Sequence, residues 1–228
     1  MSKRVIVAID GPAGAGKSTV ARAIASRLDF IYIDTGAMYR AVALWALRAG
    51  VPDDDGLRLE QLAQQAEITF QAGSDSVFLN GEDVTREIRT PDVSAAASRV
   101  AAIPGVRRAL VDKQRQLGAA TSVVMEGRDI ATVVFPDAQV KIFLDAPAEV
   151  RAGRRIAELN GGEKSDTAKV ARDMVERDAR DRGRVEAPLM QAPDAVYIDS
   201  ARLSVDEVVD AVLKVVRART TNGKEYSR

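Results

Sequence analysis

The chain contains no cysteine and no histidine, and each absence removes a branch of chemistry. Without cysteine there are no disulfides, no thiolate metal sites and no thiol nucleophile. Without histidine there is no His general base, no His-based triad and no His-ligated metal. Lys plus Arg balances Asp plus Glu at 33 each, so nothing points to broad electrostatic capture of nucleic acid. No apolar run is long enough to cross a bilayer, and residues 1–10 lack the apolar core of a signal peptide. The expectation is a soluble cytoplasmic protein, a monomer, with neither membrane nor nucleic acid as partner. The guanine-reading pattern Asn-Lys-x-Asp is missing, which argues against a GTPase, and there is no internal repeat. Carboxylates, lysine, arginine, hydroxyls and a bound metal ion are left to do the chemistry.

What is present is concentrated near the start. Gly11-Pro12-Ala13-Gly14-Ala15-Gly16-Lys17-Ser18 fits G-x-x-x-x-G-K-[ST], a loop that wraps the phosphates of a nucleoside triphosphate. Val5–Ile9 before it reads as a buried strand. From Thr19 to Leu28 the apolar positions Val20, Ala21, Ile24 and Leu28 keep a helical rhythm. In a strand–turn–helix unit the turn's N–H groups and the helix's positive end hold phosphate oxygens. Lys17 would neutralise the β- and γ-phosphates, and the Ser18 hydroxyl would help hold Mg²⁺. The ATP-binding set is therefore Gly11, Pro12, Ala13, Gly14, Ala15, Gly16, Lys17, Ser18 and Thr19.

A chain of 228 residues suits one α/β domain with insertions. Short apolar runs at Val5–Ile9, Phe30–Ile33, Ser122–Met125, Val140–Leu144 and Ala195–Ile198 alternate with helical stretches, which predicts a parallel sheet flanked by helices. Ligands of such sheets bind beyond the carboxyl ends of the strands. That draws attention to Asp34–Arg40, Glu126–Asp129, Asp145 and Asp199. Residues 51–90 break the alternation: Leu57–Ala66 reads as a helix, followed by a β-meander with Asn80-Gly81 as a tight turn. Thr90-Pro91 and Ile103-Pro104 read as helix starts with proline in the first turn. Residues 148–184 are charge-dense, two helical arms around a tip at Asn160-Gly161-Gly162, and the tail from Thr220 is polar.

Four clusters could carry chemistry. In Asp34-Thr35-Gly36-Ala37-Met38-Tyr39-Arg40, Thr35 is a possible helix cap with Tyr39 and Arg40 a turn further on. These could hold a phosphorylated acceptor, or form an ordinary capped surface helix. Arg128 and Asp129 follow a strand and suit a phosphate and an exocyclic amine, or pair with each other in a turn. Arg177, Asp181 and Arg184 fall on one face if the segment is helical. Arg151, Arg154 and Arg155 make a similar cluster on the preceding arm. All basic residues from Arg172 to Arg184 are arginine, whose planar fork suits phosphate. Together these features favour a kinase over a hydrolase. A phosphate acceptor needs no strong base, whereas an alcohol acceptor would need Asp34 or Asp129 to serve as one. A non-catalytic nucleotide-binding module is a third reading.

The residues Ile9-Asp10-Gly11-Pro12, Asp34–Arg40, Gly81-Glu82-Asp83-Val84, Glu87–Thr90, Ala97-Ser98, Gly127-Arg128-Asp129, Val133–Pro136, Lys141–Leu144, Arg177–Arg182 and Ala187-Pro188-Leu189 follow one another in this order. In these motifs the chain resembles the bacterial cytidylate kinases, a branch of the nucleoside monophosphate kinases. The resemblance spans nearly its whole length. It implies ATP + (d)CMP ⇌ ADP + (d)CDP with Mg²⁺. It also implies a core (about 1–50, 91–147 and 186–219), a monophosphate-binding insert (about 51–90), a helical lid (about 148–185) and a polar tail (220–228). Carried over by position, Thr35, Tyr39, Arg40, Ser98, Arg107, Arg128, Asp129, Arg177, Asp181 and Arg184 would surround CMP. Ser98, Arg107 and Asp181 would read cytosine, and Arg40, Arg128 and Arg184 would take the acceptor phosphate. Lys17, Arg128, Arg184, Arg154 and Arg155 are the expected catalytic set, with one of the last two reaching ATP.

Overall fold

A computed structural model describes residues 4–71, 74–159 and 167–220. Two compact units result, one made of residues up to Phe30 and from Ser122 onward, the other of Ile31–Thr121.

The first unit is a parallel α/β layer. Strands β1 (Ile6–Asp10), β6 (Val123–Gly127), β7 (Val140–Asp145) and β8 (Val196–Asp199) run in the order β6-β1-β7-β8. Every residue of β1 and β6 is buried, as continuous apolar runs in a two-sided sheet require. Register does the work that matters for function. Asp10 stands opposite Gly127 on one side and Phe143 on the other, and Asp145 stands opposite Asp199. The acidic ends of the strands therefore line up along one edge of the sheet. Helices α1 (Lys17–Leu28) and α8 (Val205–Arg219) pack together, burying Ile24 and Leu28 on the one and Val209, Val212 and Val216 on the other. Ser204 and Glu207 close α8 with a reciprocal capping box. The two charged arms are helices α6 (Ala148–Leu159) and α7 (Thr167–Arg182). The expected tip at Asn160-Gly161-Gly162 and the tail beyond Thr220 lie outside the described residues.

The second unit is mostly helical. It holds β2 (Ile31–Asp34), α2 (Thr35–Arg48), α3 (Gly56–Gln65), α4 (Pro91–Val100) and α5 (Pro104–Ala120), with a three-stranded antiparallel meander of β3 (Ile68–Phe70), β4 (Val77–Leu79) and β5 (Glu82–Asp83). Both prolines take the first helical turn, where a missing N–H costs nothing. Asn80 and Gly81, at φ 51° and 85°, turn the β4–β5 hairpin as expected. Ile68, Val77 and Leu79 bury one side of the meander in the same core as Met38, Leu59, Ile88 and Leu110. Alanines fill the buried faces of α2 and α4, and these two helices pack against each other.

One expectation needs correcting. Thr35 does not cap α2; it is the first helical residue and is buried. Asp34 is the cap, in extended conformation, and its carboxylate accepts from the Ala37 N–H at 3.0 Å. The end of a strand supplies the extended backbone that a cap requires, so the residue closing β2 takes the role.

Candidate active site

At the end of β1 the chain turns sharply beneath β7. Gly11 has φ 151°, and a Cβ there would sit 1.9 Å from the Leu144 carbonyl oxygen, so only glycine fits. The loop closes at Gly16, the left-handed N-cap of α1, which offers no side-chain cap. The first-turn N–H groups of α1 thus keep their hydrogen-bonding capacity for a ligand. Lys17 is buried, and its Nζ donates to the Pro12 carbonyl at 2.7 Å. Burial pushes its pKa down to about 7; Arg128 and Arg177 press the same way, while Glu126 and Asp10 oppose them. The ammonium sits in a field already short of negative charge, a condition that a polyphosphate relieves.

Asp10 ends β1 directly before the loop, and the sequence assigns it no role of its own. It is buried, and its two carboxylate oxygens accept from Ile130 N–H at 2.9 Å and Ala131 N–H at 2.8 Å. Burial raises its pKa to about 7 against these two hydrogen bonds. It thereby ties the loop strand to the π-helical turn Ile130–Val134 that follows Arg128 and Asp129. A carboxylate ending a buried strand just before a glycine loop was the available signal.

Beyond β6, Arg128 Nε donates to Asp181 Oδ2 at 2.8 Å, and Asp181 also pairs with Arg184. The Asp181 side chain is only 2% exposed. Burial pushes its carboxyl up, but Arg128, Arg184 and Arg177 outweigh that and hold it below the ordinary carboxylate range. Arg128, Asp181 and Arg184 are thus brought together, and Arg177 acts electrostatically on both Lys17 and Asp181. Asp129 is buried and pushes the Asp10 pKa up. Arg184 is not on the α7 face: α7 ends at Arg182, the Gly183 N–H donates back to the Ala179 carbonyl at 2.9 Å, and Arg184 pairs with Asp181 from that turn.

The arms hold a second surprise. Arg154 donates to the Ala15 carbonyl and to Ser200, and Arg155 pairs with Glu158 on the surface at 3.0 Å. The buried arginine is Arg151, which donates to the Ala13 carbonyl at 2.9 Å and pairs with Asp178 at 2.6 Å.

Within the second unit, the Arg107 guanidinium lies over the Tyr39 ring, 5.6 Å from its centroid. Its Nη1 donates to the Ala101 carbonyl at 3.2 Å. Among the described residues, buried Ser98 Oγ and Arg40 Nε have no hydrogen-bond partner, and Arg40 Nη2 holds Asp34 at 2.7 Å. Burial raises the Asp34 pKa, but the Arg40 charge and hydrogen bond and the Ala37 N–H bring it below its usual value. Thr35 is buried at the start of the same helix, and Thr19 is exposed on α1.

A parallel sheet whose first strand leads through a glycine loop onto a helix, with arginines gathered at the strand ends, defines a phosphate-binding-loop protein of the phosphotransferase class. The cytidylate kinase family model matches residues 7–218. A cytidylate kinase of Solibacter usitatus is 61% identical over 228 residues, covering 99% of this chain and 97% of that protein. One of Geobacter sp. strain M21 is 50% identical, covering 96% and 95%. A bifunctional pantoate ligase/cytidylate kinase of Synechococcus is 47% identical, with the match confined to 41% of its length. Among solved structures, an uncharacterized protein from Eubacterium ventriosum shares the fold at TM-score 0.53 and 14% identity, covering 95% of this chain and 100% of that one. The chain belongs to the cytidylate kinase family. No helix among the described residues is long and apolar enough to cross a membrane.

Proposed function

We propose that the protein transfers the γ-phosphoryl group of ATP to CMP or dCMP, giving ADP and (d)CDP. The observation that carries this reading is the set Lys17, Arg128, Arg177 and Arg184, bound into one electrostatic system at the strand ends with no histidine in the chain. Such a site supplies positive charge and positioning rather than a base, which is what transfer between two phosphates requires. An acceptor-phosphate oxygen attacks the γ-phosphorus, a new P–O bond forms, and the bond to the β-bridging oxygen breaks with its electron pair leaving on ADP. Lys17 stays on the β- and γ-phosphates throughout, and Arg128 and Arg184 offset the charge of the acceptor phosphate. Asp129 and Arg177 support them beside the nucleotide.

As the resemblance implies, Arg40 contributes to phosphate binding, Thr35 and Tyr39 to positioning, and the residues Ser98, Arg107 and Asp181 to cytosine recognition. The functional division proposed on the resemblance is a core at about 1–50, 91–147 and 186–219, a monophosphate-binding insert at about 51–90 and a lid at about 148–185. Of the lid arginines, Arg155, which pairs with Glu158 at the surface, is the one proposed to reach ATP.

The residues also suit magnesium held mainly by nucleotide oxygens. Among the described residues no cluster of three or more acidic side chains forms a cage, and Ser18 stands beside Lys17 at the start of α1. Mg²⁺ of this kind keeps several waters and few protein ligands; when bound it would neutralise phosphate charge, with Ser18 as its protein ligand.

Asp34 speaks against transfer to an alcohol. A carboxyl held below its ordinary pKa by Arg40 is a weak base. The test is ADP release with ATP and a panel of acceptors: CMP, dCMP, UMP, AMP, GMP, shikimate and gluconate. Turnover with CMP and dCMP well above the purine nucleotides and the alcohols is expected. Turnover with an alcohol alone, or none with any acceptor, would overturn the proposal.

A further inference from the structure

The outer side of the glycine loop is braced by the first helical arm. Near the start of α6 the buried Arg151 donates through Nε to the Ala146 carbonyl and through Nη1 to the Ala13 carbonyl, each at 2.9 Å. The same Nη1 lies 2.6 Å from Oδ2 of Asp178, a buried carboxylate on α7. One turn further along α6, Arg154 Nη1 donates to the Ala15 carbonyl at 3.3 Å and to Ser200 Oγ at 2.9 Å, and its Nη2 donates to the Ser200 carbonyl at 2.7 Å. Ser200 Oγ itself reaches the Ala15 carbonyl at 3.2 Å.

Packing is equally close. A Cβ on Gly14, which has φ 72°, would lie 2.7 Å from the Arg151 carbonyl oxygen and 2.9 Å from the Met174 side chain. Gly14 therefore turns its bare Cα toward both arms, and the loop cannot shift outward without displacing them.

The geometry of the peptide unit gives these contacts a consequence. A trans peptide is planar, with its C=O and N–H pointing in opposite directions. Holding the Ala13 carbonyl toward Arg151 directs the Gly14 N–H away from α6. Holding the Ala15 carbonyl toward Arg154 and Ser200 does the same for the Gly16 N–H. In a phosphate loop the inward N–H groups bind the anion. We propose that Arg151 and Arg154 are positioning residues that aim the Gly14 and Gly16 N–H groups at the triphosphate, Asp178 and Ser200 holding them in place. Through Arg151 and Arg154 the first arm thus contributes to ATP affinity from behind the loop. Arginine suits the task because one planar fork serves the Ala146 and Ala13 carbonyls and the Asp178 carboxylate together, which a lysine ammonium on a flexible stem does not.

This inference rests on the loop being the ATP site, and the experiment separates the two. Binding of ATP, inorganic tripolyphosphate and CMP is measured by calorimetry for the wild type, Arg151→Met, Arg151→Lys, Arg154→Met and Asp178→Asn, with thermal unfolding alongside. In Arg151→Met, ATP and tripolyphosphate affinities should fall together by about tenfold, the value of a charge-assisted hydrogen bond. CMP affinity should stay within about twofold. Arg154→Met should show the same selectivity, and Arg151→Lys should not restore ATP binding. Asp178→Asn, whose amide oxygen still accepts, should lose about threefold. Unchanged ATP affinity in these variants would overturn the bracing role, and so would equal losses for ATP and CMP that track the melting temperature. Should Arg151→Met fail to fold, Asp178→Asn and Arg154→Met decide by the same ratio. A wild type that binds neither ATP nor tripolyphosphate would instead overturn the reading of the loop itself.

Discussion

In the second unit the ion pair beside the expected acceptor site joins Asp34 to Arg40, six residues apart on one cap and one helix. In the first unit Arg128 meets Asp181 across 53 residues, and Arg151 meets the Ala13 carbonyl across 138. The first arrangement needs only a strand end and a helical turn. The second exists only once parallel strands and the arms packed beyond them have fixed their register. A site built from local pairs tolerates the loss of one member, because the remainder is held by its own helix. One built from long-range pairs fails as a network, since every member is both ligand and support.

The largest effect that would sharpen this contrast comes from Lys17→Met. Turnover should drop by about a thousandfold or more, because the ammonium on the transferring group is lost. The fold should survive. The Lys17 pKa lies at about 7, below its ordinary 10.5. The cost of burying the ammonium is therefore full below pH 7, where folded and unfolded chains both hold the proton, and fades as the pH rises toward 10.5. Lys17→Met should accordingly melt higher than the wild type at pH 6, with the gap closing at alkaline pH. Turnover within tenfold of wild type would remove Lys17 from the mechanism.

Next comes Arg128→Ala, which should lower kcat/KM for CMP about a hundredfold, as expected for losing a guanidinium from a dry phosphate site. It also leaves Asp181 with one fewer cation. The double variant Arg128→Ala/Asp181→Asn should therefore fall short of the sum of the two single losses in stability. Simple additivity would break the claim that these residues act as a network.

A smaller effect is expected from Ser98→Ala in the second unit. The hydroxyl is buried with no hydrogen-bond partner among the described residues, so its removal should leave the melting temperature unchanged or raise it slightly. Affinity for CMP should weaken by about fivefold, the value of a neutral hydrogen bond. A clear loss of stability with CMP affinity intact would make Ser98 a packing residue.

The smallest signal is a proton. A triphosphate beside Lys17 should raise its depressed pKa, so ATP binding near pH 8 should take up as much as about one proton. Calorimetry in two buffers of different ionisation enthalpy reads the number directly. Uptake should vanish in Lys17→Met; proton release by the wild type would reverse the electrostatic picture.

Much of the second unit was legible along the chain. Asn80-Gly81, Pro91 and Pro104 each fix a local backbone state, and the structure places a hairpin turn and two helix starts on them. The cap on α2 is not legible to the residue, because Thr35 and Asp34 both have capping side chains and only the end of β2 chooses between them. In the first unit the glycine loop and its flanking strand and helix could be read from spacing. Arg151 could not be ranked above Arg154 and Arg155, since three arginines within five positions of a helix differ only in what the fold sets against them. Asp10 stood in plain view as a strand-ending acid, but its two N–H partners lie 120 and 121 residues away.

By itself the sequence determined the phosphate loop, the order of strands and helices, the turns, and an inventory without histidine or cysteine that leaves charge and positioning as the chemistry. These are matters of spacing and side-chain type within a few residues, where backbone sterics and periodicity act directly. The tertiary structure decided which arginine bears on the loop, which acid ties it down, and how far burial drives Lys17 and Asp10 from their ordinary titration. Desolvation and long-range pairing have no local signature, because they depend on which neighbours the folded sheet and the helical arms bring into contact.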